Sequence, residues 1–430
     1  MKEVFYIDDT PANKISYYFM LVFLVTLPFD RLYSELALIG LLLHTLIHLR
    51  RGQGRPLSFH WSGWLVAALY LLTIVATGWS HQQGLAFKEW EKQLALLLFP
   101  LIFYFTQPDW KIYQRRLLKA FALSCFFTTV YLYGAALLAI RGQGLPPSSL
   151  FSPLFMNHPF SAPIGLHATY FSLYIGISLV TFIWLMICSH RSLVRWCYAL
   201  ASLVLLAAIL QLAARAVGIS LLIILNGILP FWLMKGRMRR IFLFVSLSFT
   251  LLSLIAVVSN DNLHNRYLVQ LEEDLRGDAG EKENPEPRMA RWQCAWELIR
   301  ASPWIGYGTG MEVGLLKEKY ANHHLYDSYL HELNAHNQYL SFFLKAGIAG
   351  VLLYIGVLVM GFVQAFRLKD PFLGSFLVMV VCVSFSENIL DVNKGIFFFS
   401  FFFSFFASRA DRTIFVRQYG NKNMLPLVGT

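Results

Sequence analysis

The sequence predicts an all-α polytopic membrane protein, and three observations carry that prediction. Of 430 residues, 57% are hydrophobic and only 14% are charged. Apolar runs close to the ~20 residues needed to cross a bilayer recur along the chain. The basic excess, a formal net charge of +11, gathers in alternate short loops, as membrane topology requires. About twelve spans follow, at residues 16–29, 33–49, 62–79, 92–106, 117–140, 165–188, 196–214, 216–234, 240–258, 336–366, 371–386 and 394–408.

The basic loops hold Arg50, Arg51 and Arg55, then Lys111, Arg115 and Arg116, then Arg191 and Arg195, then Lys235, Arg237, Arg239 and Arg240, then Arg367 and Lys369. Arg409, Arg412, Arg417 and Lys422 follow the last span. The opposite loops hold only Arg31, Lys88, Lys92, Arg141, Arg215 and Lys394. Both termini are therefore expected in the cytoplasm. The positive charge reads as a topology signal, which leaves no nucleic-acid partner. No small-residue cleavage pattern follows Met1–Lys14, so the first span is expected to be retained. Of Cys125, Cys188, Cys197, Cys294 and Cys382, only Cys294 lies well outside the apolar runs, so no disulfide framework is implied.

The organisation expected is membrane helices 1–9 over residues 1–258, an extracytoplasmic loop with short helices over 259–335, helices 10–12 over 336–408, and a cytoplasmic tail over 409–430. The long loop carries eight Lys/Arg against thirteen Asp/Glu. Glu272, Glu273, Asp274, Asp278, Glu281, Glu283 and Glu286 cluster near Gly and Pro, which reads as a solvated, mobile piece. A second outer loop, 141–164, holds five prolines with Phe151, Phe155 and Phe160. It is too rich in proline for a helix and apolar enough to lie at the membrane surface. The aromatic run Phe397–Phe406 reads as a lipid-facing helix.

Arg215 is the only charged residue from Trp196 to Met234, a stretch of 39 residues that suits two spans. It then stands at the hairpin tip, at the membrane–water boundary. There it either snorkels and caps the turn or forms an anion site, since guanidinium stays charged and matches phosphate oxygens bidentately. Pro285-Glu286-Pro287 should open a helix. On a wheel of 3.6 residues per turn, Arg288 falls in the apolar sector of Trp292, Ala295, Trp296 and Ile299. A first-turn arginine in that sector is suited to clamp a phosphate; the alternative is an ion pair with a nearby carboxylate. Arg291 borders the same sector.

Asn334 is a plausible N-cap for the tenth span. That places His336 in the first helical turn, where the positive helix end favours a neutral ring, a competent general base. The alternative is a bland interfacial histidine. Asn337 and Gln338 are candidates to bond sugar hydroxyls. Asp391, near Glu387 and Asn388, either orients an acceptor or pairs with Lys394. His167 reads as a packing histidine. His323, His324, His331 and His336 make no i, i+4 pair, there is no Asp-x-Asp, and neither Walker A nor G-x-S-x-G occurs. A site without metal or cofactor is expected, in which arginines neutralise a diphosphate.

The order of these features resembles the bacterial O-antigen ligase family of the O-antigen ligase/polymerase superfamily. The matching pieces are Ala214-Arg215-Ala216, Pro287-Arg288-Met289-Ala290-Arg291-Trp292, Ser302-Pro303-Trp304-Ile305-Gly306-Tyr307-Gly308, Ala335-His336-Asn337-Gln338-Tyr339-Leu340 and Lys345-Ala346-Gly347-Ile348-Ala349-Gly350. They fall in roughly residues 200–355. The resemblance implies a GT-C-like glycosyltransferase in the bacterial inner membrane, acting on the periplasmic face. It implies transfer of O-antigen polysaccharide from undecaprenyl diphosphate to a hydroxyl of lipid A–core oligosaccharide in lipopolysaccharide biosynthesis, metal-independent and inverting. Its phosphate arginines fall on Arg215 and Arg288, and its histidine falls on His336. The motifs separate ligase from polymerase poorly; chain length and the single long loop favour the ligase. A polyprenyl-linked glycan transporter, the third reading, would need charges deep in several spans, and few are present.

Overall fold

The computed structural model describes residues 4, 6–48, 61–106, 110–275 and 287–408. Arg50, Arg51, Arg55, Asp278, Glu281, Glu283, Pro285, Glu286 and the basic tail lie outside the described residues. Among the described residues the regular structure is helical, without strands. Helices lie on all twelve expected apolar stretches. In chain order they are α1 Pro11–Thr26, α2 Arg31–Ile47, α3 Trp61–Ala76, α4 Gln83–Gln93, α5 Ala95–Phe105, α6 Trp110–Gly142, α7 Ala168–Cys188, α8 Ser192–Leu212, α9 Arg215–Leu233 and α10 Gly236–Ser259. After these come the short helices α11 Gln270–Leu275, α12 Arg288–Ala301 and α13 Glu312–Asn322, then α14 Gln338–Leu368, α15 Pro371–Ser384 and α16 Asn393–Ala407. Among these, α4 and α11–α13 lie apart from the expected spans, as do shorter turns at His158–Ser161, Asp261–His264 and Tyr326–Leu330.

Among the described residues, six helices are long and apolar enough to cross a membrane: α6–α10 and α14. The chain is thus an α-helical polytopic membrane protein. An evenly apolar helix belongs inside a bundle rather than at its surface, and α7 is one: nearly all of its residues are buried. The least buried of the six is α10, at 11%, which suits a lipid-facing position. The expectation that Phe397–Phe406 faces lipid fails, because every residue of that run is at most 5% exposed or fully buried. Its rings pack edge-on and stacked against other helices, as with Phe401 on Phe23 (5.3 Å) and Phe99 (5.4 Å), and Phe398 on Tyr174 (5.3 Å). Such pairs add attraction beyond area burial, so α16 belongs to the core.

The segment between α10 and α14 has its own apolar core. Cys294, Ala295, Leu298 and Ile299 of α12 meet Leu316 and Tyr320 of α13, and Leu340 and Leu344 of α14 close it. One joint fixes this unit to the bundle. Helix α14 breaks at Ala346 (φ −136°, ψ 22°) and Gly347 (φ 61°, ψ −152°). The break frees backbone groups that an apolar environment cannot leave unpaired. The loop after α12 takes them. Tyr307 N–H donates to Leu344 C=O (2.8 Å), Gly308 N–H to Lys345 C=O (3.0 Å), and Ile348 N–H to Pro303 C=O (2.9 Å). The two chains approach so closely that a Cβ on Gly306 would lie 2.4 Å from the Leu344 oxygen, and one on Gly347 2.2 Å from the Trp304 oxygen. The next residue binds α3 and the turn that follows it: Thr309 Oγ1 donates to Thr73 C=O (2.7 Å) and Ser80 Oγ donates to Thr309 C=O (2.7 Å).

Gly347→Ala adds a backbone clash to a left-handed conformation and is expected to cost more than about 2 kcal/mol. Its thermal midpoint in detergent should fall by several degrees, and an unchanged midpoint would show that the joint does not carry this stability.

Candidate functional site

Helix α8 ends on Ala213 in the left-handed region (φ 47°), and α9 begins two residues later at Arg215. Arg215 therefore stands at the tip of an apolar hairpin, as the 39-residue count implied. Arg288 is the first residue of α12, directly after Pro287. A third arginine, Arg266, comes from a short π-turn, Asn265–Val269, after α10. All three line one cavity of about 330 Å³, within the ~300–1,000 Å³ range of ligand sites. The N-terminal ends of α7, α9 and α12 face it with His167, Thr169, Arg215 and Arg288. Free N–H groups and the positive ends of three helix dipoles thus add to the guanidinium charge.

A carboxylate already sits among the arginines. Asp274 of α11 pairs through Oδ2 with Arg215 Nη2, and its Oδ2 lies 3.9 Å from Arg288 Nε. Asp274 was expected in a mobile acidic piece. The structure instead holds it, 22% exposed, on two buried-side cations. The ion-pair alternative for Arg288 is therefore met here, and Arg215 shares the partner. Even so, Arg215 Nη1 and Arg266 Nε are buried without an acceptor among the described residues. Burial, then the charges of Arg215 and Arg288, pull the Arg266 guanidinium below its ordinary pKa. This is a site with more donors than its resident carboxylate satisfies.

His336 lies elsewhere than expected. Asn337, not Asn334, caps α14, accepting from Tyr339 N–H (3.0 Å) and Leu340 N–H (3.2 Å). The helix begins at Gln338, so His336 precedes the first turn, in the left-handed region at φ 46°. Asn334 accepts the His336 N–H instead (3.0 Å). The helix-dipole argument for a neutral ring therefore lapses. In its place His336 Nδ1 meets Glu387 Oε2 at 3.2 Å. Burial pushes the Glu387 carboxyl up, but the hydrogen bond and charge of His336 and the charge of Arg288 outweigh it, leaving the pKa below the usual range. Glu387 also lines the arginine cavity, whereas His336 does not line it and is joined to it through Glu387.

Two histidines do line that space. The proline-rich loop folds as short turns, Pro147–Phe151, Pro153–Phe155 and His158–Ser161. Gln211 of α8 pins it by donating to Leu150 C=O and Phe155 C=O, both at 2.6 Å. His158 from this loop and His167 meet with their ring centroids 4.0 Å apart and their planes tilted by 59°. Rather than packing inside a span, His167 caps α7, accepting from Thr169 N–H at 3.3 Å. Burial holds the His167 ring down at about 4, against the pull of Glu387. Burial, with Arg266, lowers His158.

The remaining expected residues sit behind His336. Arg291 is 8% exposed, on the buried face of α12 and away from the cavity lining. Gln338 Oε1 accepts from Leu390 N–H (2.7 Å), and Asn337 N–H donates to Asn388 Oδ1 (2.7 Å). Asp391 Oδ2 accepts from Asn388 Nδ2 (2.7 Å) and faces Ser341 Oγ (3.4 Å). It does not pair with Lys394, whose ammonium donates to the carbonyls of Leu27 (2.9 Å) and Phe29. Among the described residues no group of His, Cys, Asp or Glu is disposed to hold a metal ion.

The sequence missed Arg266, Asp274, Glu387 and His158. Glu387 was visible as a neighbour of Asp391. Arg266 stands in a polar loop between Asp261 and Glu272, so no local signal set it apart as one did Arg215.

The fold and the site define a helical membrane protein with a cationic cavity beside a histidine–carboxylate pair. Residues 201–355 match the family model described as O-antigen ligase, so over that stretch the chain is similar to the O-antigen ligase family. Members of this ligase/polymerase superfamily are glycosyltransferase-like enzymes that use polysaccharide and lipid-linked substrates. The match contains Arg215, Arg266, Asp274, Arg288 and His336, while His158, His167, Glu387 and Asp391 lie outside it. No curated protein matches the chain.

Asp274→Asn removes the carboxylate charge that competes for the arginines. The variant should bind inorganic pyrophosphate at least about tenfold more tightly, roughly 1.4 kcal/mol, measured by calorimetry in detergent. Weaker binding would show instead that Asp274 assembles the arginines.

Proposed function

We propose that this protein is an O-antigen ligase, transferring polysaccharide from undecaprenyl diphosphate to a hydroxyl of lipid A–core oligosaccharide. The observation that carries the reading is the meeting of Arg215, Arg266, Arg288 and Glu387 around one cavity, with His336 held on Glu387 at its edge. In this proposal both termini are cytoplasmic, twelve helices form the bundle, and the cavity opens to the periplasmic face of the inner membrane. The basic short loops support that orientation.

The donor's diphosphate takes the place of the Asp274 carboxylate among the guanidiniums. Glu387 accepts a hydrogen bond from the Nδ1–H of His336, which fixes the tautomer and leaves Nε2 as the proton acceptor. The core hydroxyl gives its proton to Nε2 as its oxygen bonds to the anomeric carbon. The bond from that carbon to the diphosphate oxygen breaks, and its electron pair leaves with the undecaprenyl diphosphate. The arginines stabilise the charge that grows there, the role an oxyanion site plays in acyl transfer. Attack opposite the leaving group inverts the anomeric centre. Neither step calls for a metal, because the guanidiniums take the part that Mg²⁺ plays in many sugar transferases. Asn337, Gln338 and Asp391 serve the reaction by holding His336 and the turn behind it, and Arg291 by packing α12.

Reconstitution with lipid-linked O-antigen, lipid A–core and EDTA should give ligated product. Longer chains on the polyprenyl carrier, with none on lipid A–core, would identify a polymerase instead. His336→Ala should remain folded and membrane-inserted yet lose transfer by at least about a hundredfold, the scale of a lost general base; normal attachment would remove the base assignment. Arg215→Lys loses the bidentate fork and should cut transfer at least about tenfold, whereas near-wild-type turnover would return Arg215 to a snorkelling role.

A further inference from the structure

The left-handed backbone at His336 (φ 46°) is unfavourable for a residue with a Cβ, and it persists only where the surroundings over-determine it. Three consecutive N–H groups show how. Ala335 N–H donates to Glu312 Oε1 (3.0 Å), His336 N–H to Asn334 Oδ1 (3.0 Å) and Asn337 N–H to Asn388 Oδ1 (2.7 Å). Two of the three acceptors come from distant parts of the chain, and they are tied to each other. Asn388 Nδ2 donates to Glu312 Oε1 at 3.2 Å. Glu312 Oε2 accepts from Ser341 Oγ at 2.5 Å, on the first turn of α14. Its carboxyl thus touches the turn before His336, the helix after it, and the residue next to Glu387.

We propose that Glu312 is a positioning residue for the transfer reaction, clamping the Ala335–Asn337 turn and so setting where the His336 imidazole stands. The inference rests on the proposed function for its catalytic consequence, though not for its geometry. Glu312 does not line the arginine cavity, and both its oxygens are engaged by protein donors, so it acts through His336. Burial and the nearby Asp391 push its carboxyl up to about 7. A protonated carboxyl still presents Oε1 to Ala335 N–H, and a glutamine reproduces that acceptor. Alanine leaves the Ala335 N–H and one Asn388 amide bond without it.

The test compares Glu312→Ala, Glu312→Gln and Glu312→Asp in the full-length reconstituted protein. The readouts are kcat, KM for the lipid-linked donor, and the rate at which diethyl pyrocarbonate modifies His336, followed by peptide mass spectrometry. His331, with a side chain 69% exposed, is the internal standard. Glu312→Ala should lower kcat at least tenfold with KM within twofold, and change His336 modification at least threefold relative to His331. Glu312→Gln should stay within threefold of wild type in both. If the alanine variant does not fold, Glu312→Asp serves: it keeps the carboxyl group, retracts the oxygen from Ala335, and should lose kcat and alter His336 modification in the same direction. Wild-type kcat and modification in a folded Ala or Asp variant overturn the proposal, and so does a Gln variant as impaired as Ala. Should His336→Ala prove fully active, the base assignment falls, while the modification rates still decide whether Glu312 sets the histidine.

Discussion

Everything in the site hangs on the break in α14. A helix interrupted at Ala346–Gly347 exposes carbonyls that an apolar bundle cannot tolerate, and the loop from Pro303 to Gly308 is the element that pairs them. The pairing is reciprocal. The loop gains a fixed path along α14 and against Thr73 and Ser80, and the helix keeps a bend that an unbroken ladder would forbid. Two glycines make it possible, because Gly306 and Gly347 each occupy space in which a Cβ would meet the other strand. With the loop fixed, the start of α13 is fixed, and with it Glu312. The position of His336 is therefore set by contacts that reach it from both sides of the joint.

The second constraint is electrostatic. Arginines gathered this closely repel, and only a fold that offers counter-charge or immobilises them holds the arrangement. Here Asp274 supplies counter-charge, while helix ends and the proline-rich loop immobilise the frame. The two histidines beside them are kept neutral at neutral pH by burial and do not add to the repulsion. Glu387 stays ionised against its burial because His336 and Arg288 face it. Glu387 and the arginine cluster thus hold one another in their charged states.

How much of this was legible follows from range. The helices were, because long apolar runs are a local signal, and six of them are long enough to cross a membrane. Arg215 was, because one charge midway along 39 apolar residues admits only a hairpin tip. Arg288 was, because prolines mark the helix start. The position of His336 was not: Asn334 and Asn337 are equally good caps three residues apart, and the choice falls to Asn337 once Asn388 takes its N–H. Asp274 looked like one more acid in a solvated run, and only Arg215, 59 residues away, distinguishes it. The phenylalanines of α16 misled for the same reason, since lipid and a buried aromatic core ask for the same residue types.

Charge balance joins the two halves of the proposed mechanism. Three guanidiniums face Asp274 and Glu387, so the ligand-free cavity keeps one positive charge in excess. A diphosphate diester carries one negative charge on each phosphorus. If Asp274 stayed in place, the donor would bring more negative charge than the cavity has to offer. Once Asp274 withdraws, the excess equals the donor's charge, and the unpartnered donors of Arg215 and Arg266 gain acceptors. As the anomeric bond breaks, charge moves onto the diphosphate and the proton moves onto His336, whose imidazolium stands against Glu387. Each new charge thus forms beside a group of opposite sign that is already in position, which is how a preorganised site lowers a barrier without rearranging itself.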